Sequence, residues 1–252
     1  MRTVVVGASG GLGRSIAVGL ARRGAHVALL ARRRERLETA VGEAGPGAVA
    51  VVCDVTDEGS CRSAIDEAAA QLGGIDALLY APAIGPLARL VDTDAETWRR
   101  ILDTNVVGAA RITAAAIPHL TASAGTVAFL SSVSASLTPP WPGLGAYIVS
   151  KAALDKLVEA WRAEHPGIGF TRLVVGDCAG GEGDSQSAFN VDWDPELTAE
   201  LAPGWVTRGL ISGCLIEIDE LISVVDTVLR SGASLAIPSV TVAPRPRVTP
   251  GG

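Results

Sequence analysis

The chain has little that would bind a metal, cross-link or enter a membrane. Its four cysteines, Cys53, Cys61, Cys178 and Cys214, form no C-x-x-C pair, and their pattern is that of four reduced thiols. His26, His119 and His165 lie far apart, without the spacing of metal ligands, so no metal site is expected. No apolar run approaches membrane-spanning length. The net charge of −6 offers no basic surface to nucleic acid or to an anionic membrane. Met1-Arg-Thr leads straight into an apolar run, which leaves no room for a signal peptide and predicts a cytoplasmic protein. Arg far outnumbers Lys, and Ala and Gly abound, a composition that points to a GC-rich bacterial genome.

What is there begins at residue 3. Residues 3–6 form a β-branched apolar run, read as a buried strand. Gly7-Ala-Ser-Gly-Gly-Leu-Gly13 follows at once, and a helical pattern runs over 12–22. Glycines at Gly7, Gly11 and Gly13 let the backbone turn tightly and approach a pyrophosphate, and the helix N-terminus offers free N–H groups to the anion. Strand, glycine turn and helix in that order make a dinucleotide site credible.

The rest alternates strand and helix. Strands are expected at 26–31, 49–53, 77–80, 125–130, 170–175 and 234–237, and helices at 33–43, 56–72, 94–116, 147–164 and 219–230. Short apolar strands separated by helices imply a parallel sheet covered on both faces. The 252 residues suffice for one such core. The expected class is therefore α/β, a doubly wound seven-stranded parallel sheet in a single domain over 1–252, with an insert at about 177–218. The tail 243–252 reads as irregular surface chain.

Tyr147-Ile-Val-Ser-Lys151 places a Tyr and a Lys on one face of a helix. A neighbouring ammonium stabilises a phenolate, so Lys151 is expected to draw the Tyr147 pKa down towards the working range. Alone, this spacing is also that of any solvated helix face.

Taken together, these motifs resemble those of the short-chain dehydrogenase/reductase family over essentially the whole chain. The resemblance implies a Rossmann-type fold and assigns Gly7, Gly11 and Gly13 to the cofactor turn, with Ser9, Leu12, Val55 and Ala81 beside them. It assigns Asp54 to the adenine, and Asn105, Ser132, Tyr147 and Lys151 to the catalytic set. Ser134 remains a candidate for the Ser role, because the gap from Ser132 to Tyr147 is about two residues longer than usual in the family; the extra residues are placed in Pro139-Pro-Trp-Pro142. Two further departures are Tyr80-Ala-Pro-Ala83, where the family has Asn-Asn-Ala-Gly, and Gly176-Asp177, where it has Pro-Gly. The first predicts a reshaped cofactor floor and the second an altered loop on the nicotinamide side.

Cofactor choice follows from charge. Where NAD-binding members carry an acid at the end of the second strand, this chain has Ala31 followed by Arg32-Arg33-Arg34. An Arg fork binds a 2′-phosphate through charge-assisted bonds, so NADP(H) is expected, with Arg32 first and Arg33 second. Arg14 could add positive charge near the phosphates. The alternative is a basic cluster at a helix start, where cations are unfavourable.

The resemblance implies hydride transfer to or from a carbonyl carbon, with Tyr147 as general acid, Ser132 holding the oxygen, Lys151 on the ribose and Asn105 anchoring a water. Ile84, Trp141, Leu144, Phe189, Trp193 and Trp205 are expected to line the substrate pocket, and favour a small apolar or aromatic substrate; the same tryptophans could simply pack loops onto the body. Asp177, Glu182, Asp184 and Asp192 form an acidic run that is either solvated or matches a basic substrate group. A homodimer or homotetramer built on the helices from Asp94 and Tyr147 is expected. A non-reductive enzyme on the same fold, or a nucleotide-sensing protein, stays open.

Overall fold

The computed structural model describes residues 1–181, 183, 186, 189–211 and 213–245. Seven parallel strands make one sheet in the order β3-β2-β1-β4-β5-β6-β7. They are β1 (Arg2–Val6), β2 (His26–Ala31), β3 (Ala48–Val52), β4 (Ala77–Tyr80), β5 (Thr126–Ser132), β6 (Gly169–Val175) and β7 (Ser239–Val242). The helices are α1 (Gly11–Arg22), α2 (Arg34–Ala44), α3 (Glu58–Leu72), α4 (Ala95–Leu102), α5 (Gly108–Ser123), α6 (Gly145–Glu164), α7 (Pro195–Thr207) and α8 (Ile218–Leu229).

Strand side chains alternate between two cores. Val4, Val6, Leu78 and Tyr80 face α3, α5 and α6. Val5, Ala77 and Leu79 face α1, α2 and α8. Burial on both faces explains why the central strands are continuous apolar runs. Strand order reverses between β1 and β4, which opens a crevice at the strand C-termini, the usual ligand position in such sheets.

Three expectations change. The seventh strand is Ser239–Val242, not 234–237; it pairs with β6 from Arg172↔Ser239 to Val175↔Val242. The apolar run was the stronger local signal, but only the stretch beyond Pro238 presents a run of N–H groups to β6. The helix expected over 94–116 is two helices joined by a π-helical turn, Asp103–Val107, and α5 runs on to Ser123 with Pro118 inside it. The insert carries a helix of its own, α7, started by Asp194, whose side chain accepts the Leu197 N–H, and by Pro195 at its first position. Of the tail, Ala243, Pro244 and Arg245 are irregular and 246–252 lie outside the described residues.

Candidate active site

The glycine turn between β1 and α1 is built by close approach. Gly7 has φ +81, and a Cβ there would meet Pro82 at 3.0 Å. A Cβ on Gly13 would lie 2.4 Å from the Gly7 carbonyl oxygen and 3.2 Å from the Ala81 Cβ. Gly13 and Ala81 therefore hold α1 against the turn from behind. Gly11 (φ +56) and Leu12 open α1, whose first turn holds no acid. A helix end of this kind attracts an anion.

Beside the turn is a cavity of about 170 Å³. Gly7, Ser9, Arg32, Arg33, Asp54 and Val55, all expected at the cofactor, line it. Pro82 and Ala83, read in the sequence as part of a reshaped cofactor floor, line it too, as do Cys53, Thr56 and Thr104, which were not expected. Arg33 Nη2 donates to Ser9 Oγ at 3.1 Å, which ties the arginine to the glycine turn. Asp54 accepts from the Thr56 N–H (2.9 Å) and hydroxyl (2.7 Å). Burial pushes its carboxyl up, but these bonds and the nearby Arg32 charge outweigh it and hold the pKa low. Arg14 does not reach the cavity. It is buried, with Nη2 2.7 Å from Glu43 Oε1 and Nη1 donating to the Arg36 carbonyl. A glycine cradle, a helix N-terminus with no acid in its first turn and exposed arginines at the end of β2 fit a phosphorylated dinucleotide.

Further along the crevice, β5 ends at Ser132, and α6 starts two residues before Tyr147. Ser132 Oγ and Ser134 Oγ are 2.9 Å apart, and the Ser134 N–H donates to Ser132 Oγ at 3.2 Å. Ser132 is near enough to the Tyr147 phenol to act on its pKa, and Ser134 is buried. Lys151 Nζ lies 5.8 Å from the Tyr147 ring centroid and donates to the Leu130 carbonyl at 2.7 Å.

The electrostatics correct one expectation. Burial pushes the Tyr147 phenol up to about 12, against the Ser132 hydrogen bond. Burial pushes Lys151 down to about 8, opposed by the Asp155 charge. Lys151 does not draw Tyr147 down here, because its ammonium is directed at the Leu130 carbonyl and desolvation dominates both groups. Tyr147 is thus held as a protonated phenol.

Asn105 sits fully buried in the π-helical turn. Its Oδ1 accepts the Ile84 N–H at 2.8 Å, and its Nδ2 donates to the Ile84 carbonyl and to Ser150 Oγ, both at 2.9 Å. Ser150 in turn donates to the Tyr147 carbonyl at 2.6 Å. The Asn105 side chain therefore clamps the segment after β4 to the start of α6. Tyr80, which ends β4 and opens the departing stretch Tyr80-Ala-Pro-Ala83, adds a bond from its hydroxyl to the Thr104 carbonyl.

The aromatic residues converge on Tyr147. Phe189 packs on its ring at 4.7 Å between centroids, Trp193 meets Phe189 at 5.6 Å and Trp205 at 5.8 Å, and Trp141 meets Trp205 at 5.7 Å. Trp193 Nε1 donates to the Gly85 carbonyl and Trp205 Nε1 to the Pro142 carbonyl. Leu144 belongs to the same cluster, but Ile84 lines the cofactor cavity instead. Trp205 is 3% exposed and serves as packing. Of the acidic run, Glu182 and Asp184 lie outside the described residues, Asp192 is exposed, and the Asp177 carbonyl accepts the Ile216 N–H. A larger cavity of about 420 Å³ lies between Leu87–Asp92 and α7 and contains none of the expected site residues.

Residues 2–178 match the short chain dehydrogenase family, and the chain belongs to that family. A short chain dehydrogenase of Pseudocercospora fijiensis is 36% identical over 178 residues, covering 68% of this chain and 57% of that protein. The match thus spans little more than half of that relative. Two solved structures share the fold. A gluconate 5-dehydrogenase from Burkholderia cenocepacia in complex with NADP and tartrate superposes with TM-score 0.80 at 24% identity, covering 96% of this chain and 93% of that one. A 3-ketoacyl-(acyl-carrier-protein) reductase from Brucella melitensis complexed with NADH gives 0.79 at 22%, covering 95% of each. Among the described residues, no helix is long and apolar enough to cross a membrane.

Proposed function

We propose that the chain is one NADP(H)-binding domain, with a substrate-binding insert at about 177–218, that interconverts an apolar or aromatic ketone or aldehyde and its alcohol. The observation that carries the reading is the protonated Tyr147 phenol, under the influence of Ser132 at the end of β5 and set one helical turn before Lys151.

The nicotinamide would supply or take up the hydride. The chain's own residues supply position and protons. Ser132 holds the substrate oxygen by a hydrogen bond, and Tyr147 gives its phenolic proton to that oxygen as negative charge develops there. Lys151, close to half protonated near pH 8, places a cation beside the ribose and returns a proton to the phenol. Asn105 fixes the start of α6, so the phenol and the segment after β4 keep one geometry. Arg32, with Arg33 tied to Ser9, receives the 2′-phosphate, and Asp54 faces the adenine. Phe189, Trp193 and Trp141 give the substrate side apolar, planar walls.

Exposed Val107 and Val149, at the α4–α5 junction and on α6, favour a homodimer or homotetramer through these helices. Light scattering reads this directly, and a monomer at working concentration counts against it. The function is tested by a panel of aliphatic and aromatic ketones followed at 340 nm. NADPH consumption with aromatic ketones, and little with NADH, is the expected result. Substrate turnover without net NADPH loss would favour an epimerase or dehydratase instead.

A further inference from the structure

Tyr147, Lys151 and Asp155 follow one another at four-residue intervals on α6 and so share one face of the helix. Tyr147 and Lys151 have roles in the reading above, but Asp155 has none. It is 5% exposed, and neither carboxylate oxygen has a hydrogen-bond partner. A buried carboxylate without hydrogen bonds is costly unless a charge compensates it.

Two cations act on it, Arg172 across an ion pair and Lys151 from one helical turn away without a direct ion pair. Arg172 of β6 places Nη1 3.6 Å from Asp155 Oδ2, but shares that nitrogen with Glu159 Oε1, also at 3.6 Å. The second is Lys151, one turn earlier. Its ammonium is buried and bonds the Leu130 carbonyl, and the next residue, Ser131, places its buried hydroxyl beside Asp155. The two side chains thus straddle consecutive residues at the end of β5.

We propose that Asp155 is a positioning residue, the buried counter-ion that keeps the Lys151 ammonium protonated beside Tyr147. This rests on the catalytic reading of Lys151 and deepens it. The mutual effects have the required signs. Burial lowers Lys151 and the Asp155 charge raises it. Burial prevails and leaves Asp155 raised, while Ser131, Arg172 and Lys151 act to lower it and Glu159 adds to the rise. Among the described residues, the other elements against α6 bring no competing partner for Lys151. Asp103 of the π-helical turn is taken by Arg111 at 2.7 Å. On α4, Glu96 and Arg99 pair with each other, and Arg100 is exposed. β5 and residues 133–135 carry no charge.

Lys151 and Lys156 are the only lysines of the chain, so protein labelled with [13Cε]lysine gives two side-chain signals, assigned by Lys156→Arg. The Lys151 signal of the unmutated protein should titrate near pH 8. Asp155→Asn, with its fold checked by circular dichroism, should lower that midpoint by about one pH unit or more, and Asp155→Glu should restore it. Arg172→Gln frees Asp155 from its other cation and should raise the midpoint. An unchanged Lys151 midpoint in folded Asp155→Asn overturns the proposal. If that variant fails to fold, the Arg172→Gln titration decides in its place, and a midpoint that stays or falls is the contrary result. The readout needs no turnover, so a protein without reductase activity would refute the function and leave this coupling to be judged separately.

Discussion

The Phe189 ring, from the insert after β6, lies on the Tyr147 ring with centroids 4.7 Å apart. Gly85 makes room for the pair: a Cβ there would meet Phe189 Cζ at 2.3 Å and Tyr147 Cδ2 at 3.0 Å. The Tyr147 ring is thus covered from the insert and backed by the segment after β4. Gly85→Ala must push Phe189 off Tyr147 or tilt the phenol. A shift of about 1 Å at a reacting group can cost on the order of a hundredfold, so kcat/KM for the best ketone should fall by that order. Phe189→Ala should instead favour bulkier ketones over small ones. A Gly85→Ala enzyme with parental kinetics on both would show that this contact does not shape the site.

Ser132 and Ser134 are separable by experiment. Ser132 acts on the Tyr147 phenol, and Ser134 Oγ lies 2.9 Å from Ser132 Oγ. Ser132→Ala should lower kcat by about 10²-fold or more without weakening NADPH. Ser134→Ala should change kcat by less than about tenfold. The reverse ranking in steady-state kinetics would transfer the role to Ser134.

How much of this the residues announced depends on what fixes each feature. Gly7, Gly11 and Gly13 were legible because a tight turn into a helix is local chemistry. The order of the central strands was legible because two-sided burial demands apolar runs. β7 was not, since an edge strand of alternating exposure is defined by its partner β6. Neither was the π-helical turn at Asn105, because that widening accompanies a clamp between Ile84 and Ser150 that joins distant segments. α7 was obscured by Pro203 and Gly204 inside it, although Asp194-Pro195 was a readable start. The spacing of Tyr147 and Lys151 was visible, but their protonation was not, because it is set by burial under residues far along the chain.

Lys151 carries a stability cost with a defined pH window. It titrates at about 8 in the fold against an ordinary 10.5. Between these values the unfolded chain holds a proton that the folded chain has lost, so stability rises with pH across the window. At pH 7 the whole cost is present, roughly 3 kcal/mol by order of magnitude. Lys151→Met should remove it, less the loss of the donor to the Leu130 carbonyl. The gain in stability over the parent should be greatest at pH 7 and shrink towards pH 10. Above pH 10 Tyr147, held protonated up to about 12, acts in the opposite direction. Urea titrations at pH 7, 8.5 and 10 check this, and a pH-independent difference would contradict it.

The proposed preference for NADP(H) turns on Arg32, exposed at the rim of the cavity with no acid at the end of β2. Losing a charge-assisted bond to phosphate costs roughly 1.5–3 kcal/mol, about a tenfold to hundredfold loss of affinity. Arg32→Ala should show that loss for NADPH by calorimetry and little change for NADH. Equal affinities of the unmutated protein for both cofactors would remove the basis of the argument.

The most direct test of the central claim is the single-turnover rate of NADPH oxidation at 340 nm, with an aromatic ketone, in the parent and in Tyr147→Phe. The substitution removes one hydroxyl and little volume, so NADPH binding and the circular dichroism spectrum should be unchanged. The rate should fall by about 10²–10⁴-fold. A Tyr147→Phe protein that binds NADPH as before and reduces the ketone at the parental rate would contradict the account.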